Sequence, residues 1–149
     1  MYIADNIFLA AVEKATLWMK DLERSLGAED PQTAYQACRA VLHAVRDQLS
    51  PEESSHLTSP LPLLIRGIYF EGWNPASNKP PAQNATEFFQ LVMAYHGEMA
   101  ILDAETMTEA VLFMLAVKVS ASDLRSIKSM LPPYLSYLWP CIPLGLERA

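Results

Sequence analysis

Arg39, His43 and Arg46 stand at i, i+4 and i+7, so on a helix they form one polar stripe, with Asp47 directly after it. A second polar group follows at Arg66, Tyr69, Glu71 and Trp73. Three guanidinium groups could present planar forks to a carboxylate or phosphate. His43 and Asp47, also i and i+4, could in principle act as a base or hold a metal. No second histidine, cysteine or nucleophile has matching spacing, and His56 and His96 stand alone, so no metal, cofactor or catalytic residue is expected. Gly-rich phosphate loops, nucleophile elbows and H-E-x-x-H strings are absent from the sequence. The plainer use of the set is a structural network, in which Arg46 and Asp47 pair with Arg66, Glu71 or Tyr69. Trp73, after the Gly72 stop and before Pro75, either folds back onto the bundle or anchors an interface.

These residues need helices to position them. Phe8, Val12, Ala15, Met19, Leu22 and Leu26 follow helical spacing from about Asp5 to a stop at Gly27. Asp30-Pro31 is an N-cap followed by proline at N1, opening a helix to about Leu49. Ser50-Pro51-Glu52-Glu53 is a capping box opening a short helix through Leu57. Leu61 to Glu71 reads as a fourth helix, with Leu64, Ile65 and Ile68 facing inward. Three prolines within residues 74–81 make a linker. Helices are then expected over Thr86–His96 and Asp103–Val119, from Ser120 onward, and from Leu131-Pro132 to just before Pro140. No segment alternates like a strand, so the fold class is all-α.

The second set of helices replays the first. Shifted by seventy residues, Ala40-Val41-Leu42 falls on Ala110-Val111-Leu112, Ser50 on Ser120 and Leu61-Pro62 on Leu131-Pro132. Trp18 matches Phe88, Leu57 matches Ile127 and Tyr69 matches Trp139. Two tandem pseudo-repeats of three to four helices, packed into one bundle, are therefore expected. Their bounds are about 5–73 and 84–140, with a linker at 74–83 and a tail at 141–149. Units this small hold marginal cores alone, so they should share one. Positions apolar in both copies should be core. Arg39, His43, Arg46 and Asp47 instead face Glu109, Phe113, Ala116 and Val117, which makes the first copy the polar one. Met93, Met99, Met107, Met114 and Met130 read as gap-filling core.

The string Arg39 to Asp47, followed by Leu61-Pro62-Leu63-Leu64-Ile65-Arg66-Gly67-Ile68-Tyr69-Phe70-Glu71-Gly72-Trp73-Asn74-Pro75, closely resembles the bacterial domain-of-unknown-function family 2267. The likeness extends to Thr16-x-Trp18, Leu131-Pro132-Pro133-Tyr134 and Leu138-Trp139-Pro140. It implies an all-helical bacterial protein and brings no established activity.

Composition narrows the function classes. A net charge of −6 argues against nucleic acid as a partner. No apolar run approaches membrane-spanning length, and the first residues show no secretory pattern, so a cytoplasmic protein is expected. Cys38 and Cys141, far apart, then read as reduced thiols, and the Asn84-Ala85-Thr86 sequon as unused. The function expected is a non-enzymatic helical interaction or scaffold module with a protein partner, a homo-oligomer among the options. Its contact surface would comprise Arg39, His43, Arg46, Asp47, Arg66, Tyr69, Glu71 and Trp73. The alternative is a small anionic ligand or enzymatic site in a cleft lined by the same cluster.

Overall fold

The computed structural model describes residues 3–77, 79–97 and 103–139. Within them the chain forms eight helices and no strand. They are α1 (Ile3–Leu26), α2 (Pro31–Arg46), α3 (Pro51–Thr58), α4 (Leu63–Phe70), α5 (Ala85–His96), α6 (Ala104–Lys118), α7 (Ala121–Met130) and α8 (Pro133–Leu138). The fold is all-α. Asn78, Met99, Pro140 and the 141–149 tail with Cys141 lie outside the described residues.

Side chains before each helix satisfy amides that the helix itself cannot. Asp30 Oδ1 accepts from the Thr33 amide at 2.8 Å, with Pro31 at N1. Ser50 and Glu53 form the reciprocal box, at 3.1 and 2.9 Å. Asn84, Asp103 and Ser120 cap α5, α6 and α7 in the same way. Gly27 and Gly72 take φ of +66° and +69°, the left-handed conformation that ends α1 and turns the chain after α4.

α2 is the hub. It packs on α1, α4, α5 and α6, while α1 also packs on α4 and α6, α5 on α6, and α3 on α7. Its Ala37, Cys38, Val41, Leu42 and Val45 meet Val111, Leu112 and Leu115 of α6 in one core with Trp18, Leu22, Phe88 and Ile127. Burial pushes the Cys38 thiol up to about 12, which removes its nucleophilic form at neutral pH.

Several expectations need correcting. α2 ends at Arg46 rather than Leu49, because Gln48 and Leu49 bond back to Val45 and Arg46 in tighter turns. α1 begins at Ile3, and α4 spans only Leu63–Phe70 because Pro62 is its N-cap. Leu64 is exposed rather than inward. Phe8 and Val12 continue the apolar stripe of α1 but are exposed. Of the methionines, Met107 and Met114 are buried, and Met93 and Met130 are half-buried against the core.

Candidate functional site

The buried end of α2 meets the end of α4. Arg46 is 5% exposed, and its Nη1 donates at 2.9 Å to the carbonyls of both Tyr69 and Glu71. Those carbonyls lie at the C-terminal end of α4, where no intrahelical donor remains and the helix dipole is negative. Arg46 thus caps α4 with a cation. Its Nε is buried and has no hydrogen-bond partner among the described residues.

One turn back, His43 is buried, and its Nε2 lies 2.7 Å from the Ile68 carbonyl. A carbonyl only accepts, so Nε2 carries the proton. Its ring meets Tyr95 edge-on at 5.4 Å. Burial above all, then the charges of Arg46 and Arg39, hold the His43 pKa below its usual value despite the Ile68 bond and Glu71. Arg39 closes the stripe, donating from Nε to Glu71 at 2.7 Å near the surface. That hydrogen bond, followed by the Arg39 charge, holds the Glu71 carboxyl below its ordinary range.

Tyr69 is fully buried, with its hydroxyl 2.7 Å from Ser54 Oγ on α3. Burial pushes its phenol up to about 12. Asp47 takes no part in the Arg46 contacts: Tyr95 donates to its Oδ2 at 2.5 Å, and Lys79 Nζ stands 3.9 Å away. Lys79 also donates to the Tyr95 hydroxyl at 3.0 Å. Trp73 is half-buried and packs on Phe70 at 5.0 Å between centroids.

The set expected from the sequence therefore comes together in part. Arg39, His43, Arg46, Tyr69 and Glu71 join α2 to α4. Their pairing is mostly through backbone carbonyls rather than the carboxylates expected for Arg46. Arg66 stands apart, donating to the Leu61 carbonyl at 3.2 Å. His43 and Asp47 bond to different elements, and among the described residues no three His, Cys, Asp or Glu side chains gather to hold a metal.

Tyr95, Lys79, Ser54 and Gln48 were missed. Gln48 ties the linker, accepting from the Ala82 amide at 2.7 Å. Tyr134 of α8 places its hydroxyl 3.1 Å from the Ala82 carbonyl and 3.3 Å from Gln48 Oε1. The seventy-residue offset carried no signal for Tyr95 or Lys79: Tyr95 faces Ser25, which also bears a hydroxyl, and Lys79 falls in the linker outside the matched stretch.

The depressed His43 pKa has a consequence for stability. The unfolded chain takes up a proton near pH 6.5 that the folded chain refuses, so the unfolded state binds more protons. Stability contributed by neutral His43 is complete above that pH and is lost as pH falls below it. Melting curves between about pH 7.5 and 5 should show a falling midpoint, and His43→Gln, which keeps a donor for Ile68, should flatten that slope. An unchanged slope in the variant rules His43 out as its source.

At the level of sequence families, a model described as an uncharacterized conserved protein, DUF2267, matches residues 15–138 of the chain. No curated protein matches it.

Proposed function

The chain belongs to the DUF2267 family, and from its geometry we propose a non-enzymatic helical interaction module that associates through α1 with a second copy of itself. One observation carries this reading. In the part of α1 before Ala15, Ile7, Phe8, Leu9 and Val12 are 60%, 65%, 46% and 49% exposed. The same apolar stripe becomes core only from Ala15 onward. A helix apolar around most of its circumference is normally buried in something. Between Asn6 and Leu17 the only charges are Glu13 and Lys14, which cancel, so an identical copy meets no like-charge barrier there. A two-fold crossing would bury Phe8 and Val12, which share one face, on both copies.

Architecture enters the same proposal. We read α1–α4 and α5–α8 as two pseudo-repeats about a shared two-fold, each spending its polar residues differently. Support comes from reciprocal packing: α1 lies on α6 as α5 lies on α2, and α2 meets α6 as α3 meets α7. In this reading the polar stripe of the first repeat holds α4 and the loop after it, and the contact surface is α1. No helix among the described residues is long and apolar enough to cross a membrane. A bacterial cytoplasmic setting is proposed with it, supported by the buried Cys38, which is a free thiol among the described residues.

Sedimentation of the full chain across about 1–100 μM tests the reading. Wild type should shift from monomer to dimer, and a Phe8→Asp, Val12→Asp double variant should stay monomeric, with the wild-type melting temperature where both are dilute enough to be monomers. A monomeric wild type at the top concentration, or a variant that still dimerises, overturns it.

A further inference from the structure

We propose that the hollow between the C-terminal halves of α1 and α6 binds a neutral, one-ring aromatic molecule, as the counterpart of the place that the Tyr95 side chain fills between α5 and α2. The inference rests on the two-repeat reading above and is independent of self-association through α1. The hollow has a volume of about 270 Å³, and Asp21, Arg24 and Ser25 of α1 and Phe113, Val117 and Lys118 of α6 line it.

Seventy residues away, the same positions surround Tyr95. Ser25 corresponds to Tyr95 itself, Phe113 to His43 and Val117 to Asp47. α1 packs on α6 as α5 packs on α2. Between α5 and α2 the Tyr95 ring meets the His43 ring edge-on at 5.4 Å, and its hydroxyl donates to Asp47 at 2.5 Å. His43 is buried there and the side chain of Asp47 is 9% exposed, and part of that cover is the tyrosine. On α6 the facing residue of α1 is a serine, too short to lay a ring over its neighbours. Phe113 and Val117 are accordingly 40% and 42% exposed. The difference in cover between the two faces is an aromatic side chain, and that difference identifies the occupant.

Nothing in the hollow calls for charge on that occupant. Arg24 and Lys118 both pair with Asp21, so its charged groups satisfy one another. Asp47, which accepts from the Tyr95 hydroxyl, is replaced here by Val117, so the ring rather than a polar group makes the fit. Phe113 presents a ring where His43 does, and a second ring packs on it edge-on or offset. The volume lies below the roughly 300–1,000 Å³ of pockets that hold drug-sized ligands, which suits one ring rather than a larger molecule.

The test titrates the full chain with phenol, following the Met114 and Val117 methyl resonances by NMR. Phenol should shift both saturably. Cyclohexanol should bind about fivefold more weakly, and Phe113→Leu, which keeps an apolar side chain without the ring, should weaken phenol about fivefold. Ser25→Tyr supplies the ring from α1 as α5 does with Tyr95. It should abolish the saturable shift and melt no lower than wild type. A shift that is only linear, equal affinity for cyclohexanol, wild-type affinity in Phe113→Leu, or undiminished binding in Ser25→Tyr overturns the assignment and leaves the two-repeat reading in place. A Ser25→Tyr variant that melts below wild type overturns both, because the hollow is then no counterpart of the Tyr95 place.

Discussion

Arg46→Ala lowers the free energy of unfolding by about 3 kcal/mol. The substitution strands the carbonyls of Tyr69 and Glu71, which lie 2.9 Å from Nη1 and have no helical donor. It also removes the packing of a side chain that is 5% exposed. The cation itself is expensive to bury, and its Nε is unpaired, so the intact residue gives less net stability than its contacts suggest. The loss on truncation is large for the opposite reason: α4 keeps its negative end in a buried place with nothing to meet it. Arg46→Lys should recover part of the loss, because an ammonium restores the charge and reaches one carbonyl rather than two. Urea unfolding of wild type and both variants measures this. A loss under about 1 kcal/mol for the alanine variant would mean that water reaches the end of α4 and that Arg46 is no cap.

The expectation of a network around Arg46 identified two of its partner residues, Tyr69 and Glu71, but not the groups that bond it, which are their main-chain carbonyls. Sequence spacing shows which side chains share a helix face, and it placed Arg39, His43 and Arg46 together on α2. Backbone carbonyls carry no sequence signal, so nothing marked Ile68, Tyr69 and Glu71 as acceptors through their main chain. Arg66 looked equivalent to Arg46 by type, yet its helix turns it to the Leu61 carbonyl instead. Local chemistry was far more legible. Asp30, Ser50 and Ser120 announced their helix starts because a cap needs only a short polar side chain and an amide two or three residues on. Of the positions apolar in both copies, Trp18 with Phe88, Leu57 with Ile127 and Tyr69 with Trp139 are buried in both. Two independent apolar choices for one structural role leave little room for a surface position. Tyr95 and Lys79 escaped because each meets Asp47 across a long stretch of chain, where spacing along one helix carries no information.

α1 supplies the sharpest contrast, and a paired substitution on it is expected to split. Leu22→Ala should cost about 3 kcal/mol, as removal of a fully buried leucine does when the surroundings collapse only in part. Val12→Ala should cost under about 0.5 kcal/mol in the monomer, because nearly half of that side chain already faces solvent. Both residues sit on the same periodic stripe of the same helix, and periodicity cannot separate them. The stripe specifies which face is apolar, and only the length of the elements packed alongside decides where along it cover ends. Here α2, α4 and α6 cover α1 from Ala15 onward. Measured at a concentration where the chain is monomeric, comparable losses at the two positions would mean that the first turns of α1 are packed within the molecule, and would remove the free helix face on which self-association depends. A loss at Leu22 alone leaves Phe8 and Val12 apolar at no benefit to the monomer. Such a face is what the proposed contact between two copies would cover.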